Sequence, residues 1–119
     1  MPTTFTTDLA LEYHWIVEAN EYVQLVIPVL DDLGAPFDPT GWIVDAKVKQ
    51  RHGPGAPTLH TWLVGDTGTS SAGVTLTILP ATSAAWTFTA GWWRCAIQHP
   101  VNATQRSRII QGPFSVSVD

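Results

Sequence analysis

The sequence is poor in cysteine and in basic residues, and each shortage excludes a class of protein. Cys95 is the only cysteine, so no disulfide can form within the chain. Six lysines and arginines stand against ten aspartates and glutamates, which gives a formal net charge of -4. This balance argues against binding to a phosphate backbone, because such binding needs clustered cations. We therefore predict no nucleic-acid partner.

Long apolar runs are also missing. No stretch approaches the roughly 18 residues that a membrane-spanning helix needs. The opening MPTTFTTD has neither the basic region nor the apolar run of a secretory signal. The sequence alone therefore predicts a protein that is made in the cytoplasm and has no membrane segment.

A pattern of short alternating strands fills most of the 119 residues, a length that predicts one domain over 1–119. Apolar side chains recur at every second position over 23–29 and again over 42–48. About seven or eight such segments follow one another, separated by Gly, Pro, Asn and Asp turns. The pattern predicts an all-β, antiparallel, immunoglobulin-like sandwich. Its only predicted helix is a short turn over 80–86.

The remaining predicted strands cover 12–17, 58–64, 74–78, 92–99, 106–110 and 114–118. Two polar segments, 1–8 and 65–73, are predicted to be a flexible or edge-strand arm and a flexible loop. Segments of this kind can become ordered when a partner binds. Within the loop, Asp66, Thr67 and Gly68 are the candidates for such ordering.

No catalytic or metal-binding group is predicted. Asp31, Asp32 and Asp38 lie in one connection, but their spacing fits no calcium loop and their Gly and Pro neighbours indicate turn formation. The four histidines are dispersed without the short spacing typical of metal ligands. We therefore predict no metal, no cofactor and no enzymatic activity. The histidines are His14, His52, His60 and His99.

Three basic residues, Lys47, Lys49 and Arg51, alternate at the end of one predicted strand. Alternation places them on one face of that strand. Charges of this kind usually cover a surface that only water contacts, so we interpret this face as solvated.

Six tryptophans are more than a core of this size can hold. Trp92 and Trp93 are adjacent, so they face opposite sides of any strand that contains both. A tryptophan on the outside can anchor a protein interface, stack on a sugar ring, or lie under a connecting loop. The candidate interface residues are Trp62, Trp92, Trp86 and Trp15.

Five segments carry a resemblance through their order along the chain. They are YVQLVIPVLDDLGAPFDPTGW, VDAKVKQR, GVTLTILPATSAAW, AGWWRCAIQHP and RIIQGPFSVSVD. In this order they resemble the small β-sandwich virion domains of phages that infect actinobacteria and related hosts. These domains are in turn similar to the N-terminal domain of phage baseplate upper proteins. The resemblance covers nearly the whole chain from Glu21 onward, and its motifs are structural.

The resemblance implies a phage virion structural protein that acts through contacts with other virion proteins, of the capsid or the tail. Such a protein is a head decoration, a head–tail adaptor, or a minor tail or baseplate component, and we favour the head or the head–tail joint. Self-association is compatible with this role. The alternative is a carbohydrate-binding module that attaches to host glycans through exposed tryptophans. A small hydrolase is a third hypothesis, which requires histidines and carboxylates converging in a pocket.

Overall fold

The computed structural model describes residues 11–31 and 33–118. The predicted arm at 1–8 and Asp32 lie outside the described residues. The described part of the chain contains nine strand segments and a one-turn helix. These elements are β1 (Leu11–Glu12), β2 (Trp15–Glu18), β3 (Val23–Ile27), β4 (Ile43–Lys49), β5 (Thr58–Thr61), β6 (Thr67–Ser70), β7 (Gly73–Ile78), α1 (Pro80–Ala84), β8 (Ala90–Gln98) and β9 (Arg106–Ser117).

The strands form two sheets that pack face to face. The larger sheet has the order β1-β9-β8-β4-β5, with β2 also paired to β9, and the smaller has the order β3-β7-β6. In an immunoglobulin-type sandwich, strands G, F, C and C′ form one sheet and B, E and D form the other. The order β9-β8-β4-β5 matches the first set and β3-β7-β6 matches the second. The predicted all-β sandwich is confirmed.

The N-terminal edge of the larger sheet differs from a purely antiparallel arrangement. Both β1 and β2 pair with β9 in parallel, with Leu11 opposite Ile110 and Trp15 opposite Phe114. After β2 the chain crosses to the smaller sheet, where it forms β3. The strand that pairs with β2 is therefore β9, at the other end of the chain, and no hairpin connects the two. The sequence could not show this pairing, because the partner strand lies about a hundred residues further along the chain.

The predicted break at Gln111-Gly112-Pro113 does not interrupt β9, which runs continuously through it. The neighbouring edge is interrupted instead, because β1 ends opposite Gln111 and β2 begins opposite Phe114. Gly112 permits this arrangement. A Cβ atom added there would lie 2.2 Å from the carbonyl oxygen of Tyr13, so only glycine lets the two backbones approach so closely.

The predicted flexible loop over 65–73 is wrong, because most of it is ordered structure. A 3-10 turn over Val64–Asp66 leads directly into β6. Thr67 and Thr69 pair with Leu76 and Val74 of β7. β-Branched threonines favour extended structure, and the tight turn that follows needs the positive φ of Gly73.

The core lies between the sheets and is dominated by aromatic rings. Trp15 stacks on Trp62 at a centroid distance of 5.7 Å. It also makes edge-to-face contacts with Trp93 and Phe114, at centroid distances of 4.9 and 5.6 Å. Two of these rings are also held by hydrogen bonds, because the indole N–H of Trp62 donates to the Thr77 carbonyl and that of Trp93 donates to the Tyr13 carbonyl. Aromatic contacts of this geometry stabilise a core beyond the area that they bury.

The predicted helical turn is confirmed as α1, which begins at Pro80. A helix this short is unstable without packing. Trp86, just beyond it, supplies contacts to His60 and Phe114 at centroid distances of 5.0 and 5.7 Å. In the described part of the chain, no helix is both long and apolar enough to cross a membrane.

Gly112→Ala should destabilise the fold strongly. The new methyl group would collide with backbone atoms of Tyr13. Backbone atoms cannot move aside by a simple rotation, as the end of a flexible side chain can. We expect the free energy of unfolding to fall by about 2–3 kcal/mol, measured by urea denaturation. Gly55→Ala is the control, because no atom lies within 4 Å of its added Cβ. It should stay within about 0.5 kcal/mol of the parent chain.

The thiol of Cys95 should be protected by the fold. Burial raises its pKa to about 12, and the reactive species is the thiolate. At pH 8 we expect alkylation by iodoacetamide to be about 1,000-fold slower in the native chain than in urea. Mass spectrometry of timed samples measures both rates. A native rate within tenfold of the unfolded rate would show that the core around Cys95 opens freely.

Candidate functional site

Five of the six basic side chains lie together on the outer face of the larger sheet. Their neighbours along the strands, such as Ala46, Trp93 and Ser107, are buried between the sheets, and alternate side chains on a strand point to opposite faces. Strand pairing also brings them side by side, since Lys47 lies opposite Arg94. We call this surface the cationic face, defined by Lys47, Lys49, Arg94, Arg106 and Arg108.

Few acidic groups accompany these cations. The three central strands β4, β8 and β9 contain one carboxylate, Asp45, which forms a salt bridge with Arg106. Partial burial would raise the pKa of Asp45, but the hydrogen bond from Arg106 and the charge of Lys47 outweigh it and hold that pKa below its usual value. The edge segments β1 and β2 place Glu12 and Glu18 at the rim, in register with outward-facing residues of β9.

A pocket of about 390 Å³ opens at one end of the cationic face. We call it the cationic pocket. The loop that joins β4 to β5 forms one wall, where Lys49 donates to the Gly53 carbonyl at 2.8 Å and His52 stacks on Trp92 at 4.6 Å. The central strands form its floor. Its lining residues are Lys49, His52, Gly53, Pro54, Trp92, Arg94 and Arg108.

Three side chains that line the pocket have buried N–H donors without a hydrogen-bond partner in the described residues. They are the indole Nε1 of Trp92 and the Nε atoms of Arg94 and Arg108. Arg108 uses a different nitrogen, Nη1, to donate to Gln111 at 2.9 Å. Most buried polar groups in folded proteins are paired, so each orphan donor needs an explanation.

Like charges around the pocket act on one another. Loss of hydration, followed by the charges of Arg94, Lys47 and Arg108, lowers the pKa of Lys49. Loss of hydration and the charges of Arg94 and Arg106 likewise lower the pKa of Arg108. A guanidinium nevertheless keeps its proton at any ordinary pH. The pocket is therefore positively charged, and an anion would relieve the repulsion within it.

Two of the four predicted interface tryptophans are not at a surface. Trp15 and Trp62 are 3% and 5% exposed and stack on each other inside the core. This corrects their assignment to an interface. Strand β2 and the residue directly after β5 turn these side chains inward, which the ambiguous alternation over 58–64 did not reveal. Both rings instead fill the space between the sheets.

The other two predicted tryptophans are partly buried, and they differ in what they contact. Trp86 stacks on Phe88 at 5.0 Å and extends the core beneath α1. Trp92 lies on the opposite side of β8 from Trp93, as predicted, and lines the cationic pocket. Asp66, Thr67 and Gly68 belong to the 3-10 turn and β6, so they do not form a loop that awaits ordering.

The sequence indicated only part of the cationic face. Lys47 and Lys49 were recognisable as an outward-facing pair, but Arg94, Arg106 and Arg108 come from distant strands. Only strand pairing joins them, with Arg94 opposite Lys47 and Arg108 opposite Ala96. A weak signal was present, because Arg94 and Arg106 each directly precede a buried small residue, Cys95 and Ser107.

The carboxylates and histidines do not form a metal centre in the described part of the chain. No group of three or more His, Cys, Asp or Glu side chains there is placed to hold an ion. Asp31 accepts hydrogen bonds from the backbone N–H groups of Leu33 and Ala35, both at 2.9 Å, and Asp38 accepts one from Thr40. Asp31 and Asp38 are turn formers, as the sequence indicated.

Comparison with known protein families finds none that matches this chain, and comparison with curated proteins finds no match either. The resemblance drawn from the order of the motifs therefore remains a prediction. The cationic face and its pocket are the structural features from which we argue a function.

Repulsion between the crowded cations should lower the stability of the protein when no partner is bound. Arg94→Gln removes a charge that acts on both Lys49 and Arg108. We expect it to raise the free energy of unfolding at low ionic strength, with the gain shrinking as salt screens the repulsion. Urea denaturation in 10 and 300 mM NaCl measures this. Gln24→Glu, which makes the same charge change on the smaller sheet, should give no such gain.

Proposed function

We propose that the chain is a structural binding module of a bacteriophage particle, which docks onto another virion protein through its cationic face. The observation that carries this proposal is the gathering of five of six basic side chains on one face of a molecule with net charge -4. Arginine and tryptophan are enriched where interfaces are strongest. Both types meet at the cationic pocket.

The charge pattern favours an acidic protein surface over a nucleic acid. Complementary charge patches steer two proteins together and suppress wrong partners. The cationic face is small, and Asp45, Glu12 and Glu18 lie on it or at its rim. A long polyanion would extend past this rim and meet the negative charge of the rest of the molecule. A compact acidic patch on a protein would not.

The order of the structural motifs supports a virion role in general, and a small domain without coiled-coil or fibre repeats favours a place on the particle other than a fibre. We propose a head decoration or a head–tail adaptor, with a minor tail or baseplate position as the next choice. A single sandwich that offers one charged face suits attachment to a repeated site on the particle surface. Self-association through other surfaces is compatible with this arrangement, because particles impose symmetry.

The carbohydrate-binding alternative requires a row of exposed aromatic rings. All six tryptophans are within the described residues, and each is buried or only partly exposed. Trp92 is also covered by the stacked ring of His52 at 4.6 Å. We therefore propose no second function.

Reversing a charge on the cationic face should prevent incorporation into particles. Lys47→Glu places a carboxylate in the middle of the face without touching the pocket or the core. We expect at least about a tenfold drop in copies per particle, because like charges across an interface cost several kcal/mol. Quantitative mass spectrometry measures the chain in purified particles from a phage that depends on the variant gene.

Gln24→Glu adds the same side chain to the exposed outer face of the smaller sheet, and its incorporation should match that of the parent chain. Urea denaturation of both variants establishes that each is folded. The proposal fails if the parent chain is absent from purified particles. It also fails if Lys47→Glu is incorporated as well as Gln24→Glu.

A further inference from the structure

We infer that the cationic pocket is an oxyanion site, filled by the carboxylate of an acidic segment of the partner protein. This inference rests on the proposed function, which it deepens by naming the contact that fixes the partner in place. Three features carry it: uncompensated positive charge, unpaired donors, and a wall formed by two stacked rings. Each is a property of named side chains in the described residues.

The first feature is charge that nothing nearby neutralises. Lys49, Arg94 and Arg108 line one pocket, and the salt bridge of Asp45 goes to Arg106, which is not part of the lining. The hydrogen bond of Lys49 goes to a neutral carbonyl. Clustering cations without carboxylates destabilises a free protein, so an anionic ligand is the natural complement.

The second feature is the set of orphan donors. The Nε–H groups of Arg94 and Arg108 and the indole N–H of Trp92 are buried and lack a partner in residues 11–31 and 33–118. All three can only donate. A carboxylate can only accept, and its two oxygens offer about four acceptor positions. It therefore matches the pocket in both charge and hydrogen-bonding type.

The third feature is the wall of the pocket, which two stacked rings help to form. Its floor consists of paired strands, and its wall is held by the hydrogen bond from Lys49 to Gly53 and by the stacking of His52 on Trp92. A floor and a wall that are already held in place lose little entropy when a ligand enters, so only the donor side chains have to turn toward it. The pocket volume of about 390 Å³ far exceeds the roughly 30 Å³ of a water molecule, so a whole acidic side chain fits with its neighbouring backbone.

A side-chain NMR titration tests the site directly. The full chain is titrated with a capped Gly-Glu-Glu-Gly peptide, with its Gly-Gln-Gln-Gly counterpart, and with inorganic phosphate. We expect the Glu peptide to shift the N–H signals of Trp92, Arg94 and Arg108 saturably, while the Gln peptide leaves them unchanged. Arg94→Gln should raise the Kd of the Glu peptide at least about tenfold, since a charge-assisted hydrogen bond is lost.

Lys47→Gln is the matched comparison, because it removes the same charge from the same face but does not line the pocket. It should raise the Kd only about twofold, through the weaker long-range field. If the two variants raise the Kd of the Glu peptide equally, the pocket is not the binding site. Binding would then involve the cationic face as a whole, and the proposed function would stand. Saturable binding of phosphate that excludes the Glu peptide would overturn the assignment to a carboxylate. Absence of the chain from particles would overturn the proposed function, whereas the titration decides the pocket.

Discussion

The interlocking of Trp15 with Trp62, Trp93 and Phe114 is the contact on which the rest of the structure depends. It joins β2 to β8, to β9 and to the residue that directly follows β5, and it lies between the two sheets. In immunoglobulin domains a disulfide between strands B and F holds the sheets together. Here the strand that corresponds to F carries the lone Cys95. The aromatic cluster comes from the larger sheet, and it is tied to the smaller sheet by the hydrogen bond from the Trp62 indole to the Thr77 carbonyl of β7.

This internal arrangement determines what the outside of the larger sheet can do. The inward-facing side chains of β4, β8 and β9 fill the core. The outward-facing side chains of these strands are therefore not needed for packing and can carry an unusual concentration of charge. They hold almost all the basic side chains of the protein, including pocket residues whose donors are unpaired. Mutual repulsion among these cations lowers the stability of the free chain, and a binding surface often carries such a cost, which is why we propose an acidic partner for this face.

Local patterns in the sequence were enough to predict the strands with clean alternation, such as β3 and β4, and the helical turn at Pro80. They failed where the deciding contact is distant. The Gln111-Gly112-Pro113 segment has the composition of a turn, but its glycine serves the close approach of Tyr13. The 65–73 segment looks like a linker, but it is held by pairing with β7. The cationic face was hidden for the same reason, since three strands far apart in sequence contribute to it.

Chemical labelling of the assembled particle tests the central claim most directly. The sequence has two lysines, Lys47 and Lys49, and both lie on the cationic face. Amine acetylation and carboxyl labelling are read by mass spectrometry in free chain and in intact particles. The account predicts that both lysines are strongly protected in particles, whereas Glu21, which is exposed outside this face, is labelled equally in both states. Lysines that are acetylated in particles as readily as in the free chain would contradict it.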